Sequence, residues 1–132
     1  MKLITPKDCD NAPKRRILRD LNIAFAKADV KKLREFFHPD IEWEMVGNKT
    51  ITRLDGVVVF LESINKDYKA TALEIKQIIT HGKYGASSGV LTFKNVKIVF
   101  HDFYEFASVG SDKIKKITSM AISLKRGPKP IC

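Results

Sequence analysis

Residues 72 to 124 read as four strands in succession, separated by three short turns, and no other feature restricts the possible folds as strongly. Leu73, Ile75 and Ile79 alternate with Glu74 and Lys76, the two-residue period of a half-buried strand. His81-Gly82-Lys83 reads as a turn, and a second strand rich in small residues runs from Gly85 to Phe93. Lys94-Asn95 is a hairpin turn, after which Val96 to Ala107 forms a long strand that is apolar on both faces. Val109-Gly110-Ser111-Asp112 turns the chain into a last strand, Ile114 to Leu124. Turns this short join antiparallel neighbours, so the segment is a meander.

Upstream the period changes. Pro13 suits a first helical position, where its missing N–H would have no partner anyway. Ile17, Leu18, Leu21, Ala24, Phe25 and Ala28 then recur at helical spacing over about four turns. Asp29 is placed to cap a short second helix that buries Val30, Leu33, Phe36 and Phe37, and His38-Pro39-Asp40 ends it. Ile41 to Val46 alternates apolar with acidic residues and predicts a strand, followed by a turn at Gly47-Asn48-Lys49. Asp55 is the expected cap of a third helix with Val58, Leu61 and Ile64 inward. The β-branched run Val57-Val58-Val59 leaves a strand as the alternative there.

Helices segregated from an antiparallel sheet make an α+β fold. The 132 residues suit one domain, with an irregular arm over 1–12, the domain over 13–124 and a polar tail over 125–132. The start, Met1 to Pro6, lacks the apolar stretch of a secretory signal, and no apolar run approaches the roughly 20 residues of a membrane span, so no membrane association is expected. Cys9 and Cys132 form neither a disulfide framework nor a metal-ligand spacing, which points to a reducing, cytoplasmic setting. The net charge of +9 raises nucleic acid as a partner. Its basic residues are dispersed, however, and no basic–aromatic groove pattern is present, so nucleic-acid binding is not expected.

This order of elements, over about residues 13–124, resembles the nuclear transport factor 2-like superfamily, which includes ketosteroid isomerase and the SnoaL-like polyketide cyclases. The stretch Asp102-Phe103-Tyr104-Glu105-Phe106 looks like the D-x-F-x-F segment of the long strand in many members. Phe37-His38-Pro39-Asp40-Ile41-Glu42-Trp43 is similar to the helix-to-strand junction of SnoaL-like proteins, and Ala28-Asp29 to the break between their first two helices. The resemblance implies a cone-shaped, curved antiparallel sheet packed against three N-terminal helices around a pocket. It also implies a homodimer, because the second apolar face of the long strand (Val99, Phe103, Ala107) needs cover. In ketosteroid isomerase the equivalent of Asp102 is a protonated acid that donates to an oxyanion. Glu44 falls where that enzyme has its general base and Leu21 where it has its oxyanion-hole tyrosine. Arg53 stands where the family often has a glycine before the third helix.

Read from its own surroundings, Asp102 shares a strand face with Ile98, Phe100, Tyr104 and Phe106. Lost hydration there pushes a carboxyl pKa up. The group is then either a pocket acid or a buried carboxylate satisfied by a backbone amide or a basic side chain. Glu44 shares a face with Glu42 and Val46, and parity sends this set to solvent unless a bulge turns it inward. Trp43, Tyr104, Phe100 and Phe106 are candidate ligand-binding walls, or plain core. His101 points away from Asp102, and His38 and His81 sit in turns, so no dyad and no metal site are expected, nor any cofactor. Two functions compete. One is a pocket for an apolar, polyketide- or steroid-like molecule, with acid–base isomerisation, cyclisation or dehydration if it is an enzyme. The other is a non-catalytic ligand- or protein-binding module.

Overall fold

The structure is a computed structural model that describes residues 1–7, 12–64 and 69–125. Cys9, Cys132, most of the arm's second half and the tail beyond Lys125 lie outside the described residues. Three helices precede most of the strands: α1 (Pro13–Ala26), α2 (Val30–Arg34) and α3 (Leu54–Ile64). The strands are β1 (Lys2–Ile4), β2 (Phe37–Met45), β3 (Lys49–Thr52), β4 (Ala72–His81), β5 (Tyr84–Thr92), β6 (Val96–Phe106) and β7 (Ile114–Lys125). They form one sheet in the order β1-β4-β5-β6-β7-β2-β3.

The meander β4 to β7 stands as the sequence predicts, within a residue or two at each end. Four expectations need correction. The sheet is mixed, because β2 runs parallel to β7 and β1 parallel to β4. The arm is not irregular throughout: Lys2, Leu3 and Ile4 pair with Ala72, Leu73 and Glu74, and three residues are too few to display an alternating pattern. Residues 49–52, read partly as turn, form an edge strand against β2. Finally, β2 begins at Phe37 and passes through His38-Pro39, the residue before proline favouring extended backbone. Its pairing with β7 is irregular between Phe37 and Glu42, where proline cannot donate.

Local chemistry sets the helix ends. Ala28 takes a left-handed conformation (φ 56°) and breaks α1 from α2, whose first turn is capped by Asp29 Oδ1 accepting from Lys32 N at 3.1 Å. At α3 the cap stands two residues before the expected Asp55. Arg53, also left-handed (φ 72°), receives the first helical bond from Val57 N at 3.1 Å, while Asp55 Oδ1 accepts from Gly56 N at 2.9 Å. The helix itself, rather than the alternative strand, is what forms over Val57-Val58-Val59, burying Val57, Val58 and Leu61.

The helices cover the concave face of the sheet. Leu18, Leu21, Ala24, Leu33, Val57 and Leu61 pack there against Leu73, Ile75, Ile78, Tyr104 and Ile117. Gly85 in β5 permits this approach, since a Cβ there would lie 2.7 Å from a Leu18 methyl. Among the described residues no helix is long and apolar enough to cross a membrane.

Candidate functional site

Between the helices and the concave face lies a cavity of about 410 Å³, within the size range of small-molecule sites. Strand parity dictates its lining. From β6 it receives Ile98, Phe100, Asp102 and Tyr104; from β7 Ile117, Ser119 and Ala121; from β2 Trp43 and Met45. Leu21, Asn22 and Phe25 reach it from α1, and Phe60, Leu61 and Ile64 from α3. Trp43 meets Phe25 and Phe60 edge-on, with ring centroids 6.1 and 5.9 Å apart. Its indole N–H donates to Ser119 Oγ at 2.9 Å.

The polar groups converge on Asp102. Cross-strand register places Ser87 on one side of it and Ser119 on the other. Tyr104, two residues along the same face, donates its hydroxyl to Asp102 Oδ2 at 3.2 Å, and the Ser119 hydroxyl also bonds the carboxylate. Behind Tyr104, its oxygen lies 2.8 Å from Ser87 Oγ and 3.3 Å from Asn22 Nδ2. Asn22 also donates to Leu18 O at 2.8 Å. With the phenolic proton on Asp102, Ser87 and Asn22 are the donors to Tyr104, and the chain of bonds points at the carboxylate.

Burial raises the Asp102 pKa from 3.8 to about 6, against the lowering influence of the Ser119 and Tyr104 hydrogen bonds and the charge of His101. Burial, helped by the Asp102 charge, holds the Tyr104 phenol well above its ordinary value, so it stays protonated and remains a donor. Asp102 is therefore a proton acceptor at neutral pH that takes up a proton only a little below it. Among the described residues its hydrogen-bond partners are two hydroxyls, not a backbone amide or a basic side chain.

The other predicted residues divide. Trp43, Tyr104 and Phe100 line the cavity. Phe106 does not: it is fully buried core, beyond the irregularity between Glu105 and Phe106, with the Lys14 ammonium over its ring. Glu44 is not brought to the cavity either. Its neighbours Trp43 and Met45 face inward, the strand has no bulge between them, and Glu44 pairs across with Thr118 and Thr50 on the opposite face. His101 is exposed on that opposite face as parity requires. Among the described residues no cluster of histidine, cysteine and acidic residues could hold a metal ion.

Asn22, Ser87 and Ser119 were not predicted. Asn22 carries a signal, since it sits four residues after Leu18 and three before Phe25, a polar residue inside a buried stripe. The two serines are ordinary strand residues until register sets them beside Asp102.

The SnoaL-like domain model matches residues 18–117. A comparison with curated proteins finds no match. Among solved structures, the chain is similar to an NTF2-like protein of unknown function from Cytophaga hutchinsonii (22% identity, 81% of this chain and 97% of that one, TM-score 0.68). It is also similar to SalBIII, an epoxide hydrolase/cyclase-like enzyme of pyran ring formation in the polyether salinomycin (18% identity, 85% and 92%, TM-score 0.71). A third is a candidate SnoaL-like polyketide cyclase from Shewanella putrefaciens (15% identity, 86% and 83%, TM-score 0.73). At these identities the likeness to each is one of fold. The match over most of its length, together with the helix-covered curved sheet, places this chain in the SnoaL-like family.

Proposed function

We propose that this protein binds a small, largely apolar molecule and moves a proton on it with Asp102. One observation carries the reading: a carboxyl group in an apolar cavity, bonded by two hydroxyls and poised at about pH 6. A proton-transfer group works best with a pKa near the working pH, and such a group typically contributes about 10²- to 10⁴-fold in rate. Isomerisation, cyclisation and dehydration are the reactions such a single centre serves. The ligand presents a carbonyl, hydroxyl or acidic C–H to Asp102, and its apolar body lies among Phe25, Phe60, Leu91 and Phe100. The cyclase-like enzymes among the similar folds agree with this class of chemistry.

The experiment is turnover of apolar carbonyl and polyol-derived substrates by wild type, Asp102→Asn and the exposed control Glu62→Gln. Loss of at least about 100-fold in the first variant and none in the second is expected. Equal activity in all three removes Asp102 from the chemistry.

A second reading, ligand binding without turnover, is favoured by two features. Glu44 faces away, and Tyr104 and Asn22 spend their donors inside the protein. If Asp102→Asn binds the same molecules as well as wild type and no turnover is found, this reading stands. We further propose a homodimer in which the convex face of the sheet packs on its own copy, tested by mass in solution.

A further inference from the structure

Register lays out one row of side chains across the concave face. Ser87 in β5 lies opposite Asp102 in β6, Asp102 opposite Ser119 in β7, Ser119 opposite Met45 in β2, and Met45 opposite Lys49 in β3. The row begins in the buried polar cluster and ends on a lysine at the sheet's edge. Lys49 belongs to the concave side because Met45, its cross-strand neighbour, lines the cavity. Its ammonium sits 4.7 Å from the centroid of the Phe60 ring, itself a cavity wall. Exposed Val46 and Asn48, beside it in the chain, also line the cavity, so this is its mouth.

Among the described residues nothing neutralises the charge of Lys49. Lys32, Lys83 and Lys116 each pair with a glutamate, but among the described residues Lys49 meets no carboxylate. A cation over an aromatic wall at the rim of an apolar cavity is placed to receive an anion. Three strand spacings separate Asp102 from Lys49, roughly 14 Å along the sheet.

We infer that the ligand is an amphipathic anion, with a carboxylate held by Lys49 at the mouth and an oxygen function three strands away at Asp102. Lys49 then selects the ligand and its orientation. This rests on the pocket reading above and narrows its substrate class to hydroxy- or oxo-carboxylic acids of medium length.

The test uses 10-hydroxydecanoate and 1,10-decanediol, which share length and one hydroxyl and differ in the charged end. Binding is followed by the fluorescence of Trp43, the one tryptophan of the chain and a cavity wall. Wild type should bind the hydroxy acid roughly 2- to 5-fold more tightly than the diol, the range of a partly exposed ion pair. Lys49→Met should abolish that preference by weakening the acid and leaving the diol unchanged, and Lys49→Arg should retain it. Equal affinity for the two probes in wild type and Lys49→Met overturns the inference while the pocket reading stands. Failure of both probes to bind wild type overturns both.

Discussion

At the scale of single residues, the protein spends stability to keep Asp102 where it is. A carboxyl raised from 3.8 to about 6 on folding holds its proton more tightly in the folded state. Between about pH 4 and pH 6 the folded chain therefore carries a proton that the unfolded chain has released. Stability falls as pH rises through that window and stays at the lower level above it. The difference is at most about 3 kcal/mol at neutral pH, from 1.36 kcal/mol per unit. Asp102→Asn keeps an acceptor for Tyr104 and removes the charge. Its advantage over wild type in melting temperature should be absent near pH 4 and grow to several degrees by pH 7. A constant difference across that range would mean that Asp102 does not titrate as described. Tyr104→Phe acts oppositely on the same group. It deletes one of the two hydroxyl bonds to the carboxylate, so the midpoint of any Asp102-dependent pH profile should move up from about 6. Ser87 and Asn22 also lose a shared partner, which should cost about 1–3 kcal/mol of stability.

At the scale of elements, Arg53 joins a family habit to a physical cause. Its φ of 72° lies in the left-handed region, where a side chain costs about 1–2 kcal/mol, and its carbonyl caps α3. Arg53→Gly relieves that cost but adds chain entropy to the unfolded state, about 0.5–1 kcal/mol. A net gain of up to about 1 kcal/mol is expected, seen as a melting point a few degrees higher. An unchanged or lower value would show that the Arg53 side chain contributes more than its backbone costs. The same scale explains what was legible beforehand. The β4–β7 meander could be read because each strand alternates and each turn is marked by glycine or asparagine. Those turns also set the register of the site: a hairpin centred on Lys94-Asn95 puts Ser87 opposite Asp102, and a turn centred on Gly110-Ser111 puts Ser119 there. The parallel pairings of β1 and β2 were not legible, because contacts between distant segments leave no local period. Phe106 keeps the inward parity of Tyr104 but packs as core beneath Lys14 of α1, and the pattern of the strand does not mark where the cavity ends. Glu44 entered as a base by analogy with an enzyme, whereas its alternation with Trp43 and Met45 already sent it to the other face.

At the scale of the whole molecule, the convex face of the sheet is the feature still without a partner. Ile79, Phe103, Met120, Ile122 and Leu124 expose about half or more of their surface, and Tyr84 stacks on Phe103 at 5.8 Å. At roughly 100 Å² each they present on the order of 600 Å² of apolar surface, the upper end of what a monomer shows. A standard interface takes about 800 Å² from each partner, so this patch with its rim is enough for one. Of its central polar groups Ser88 Oγ bonds Gln77 Oε1 at 3.1 Å and His101 stays exposed between Ser88 and Met120, while at the margin Lys83 pairs with Glu105 and Lys116 with Glu42. A second copy fits such a surface because a two-fold contact needs only that the patch complement itself. Light scattering at about 10 μM should give twice the chain mass, a concentration that suffices for a micromolar contact. Ile122→Glu puts a charge on the apolar centre of each copy and should give the monomer mass. The cavity lies on the other side of the sheet, so this variant should still bind the Trp43-quenching ligands as wild type does. A wild-type monomer would overturn the dimer. A dimer unmoved by Ile122→Glu would place the contact on another surface and leave the convex face open.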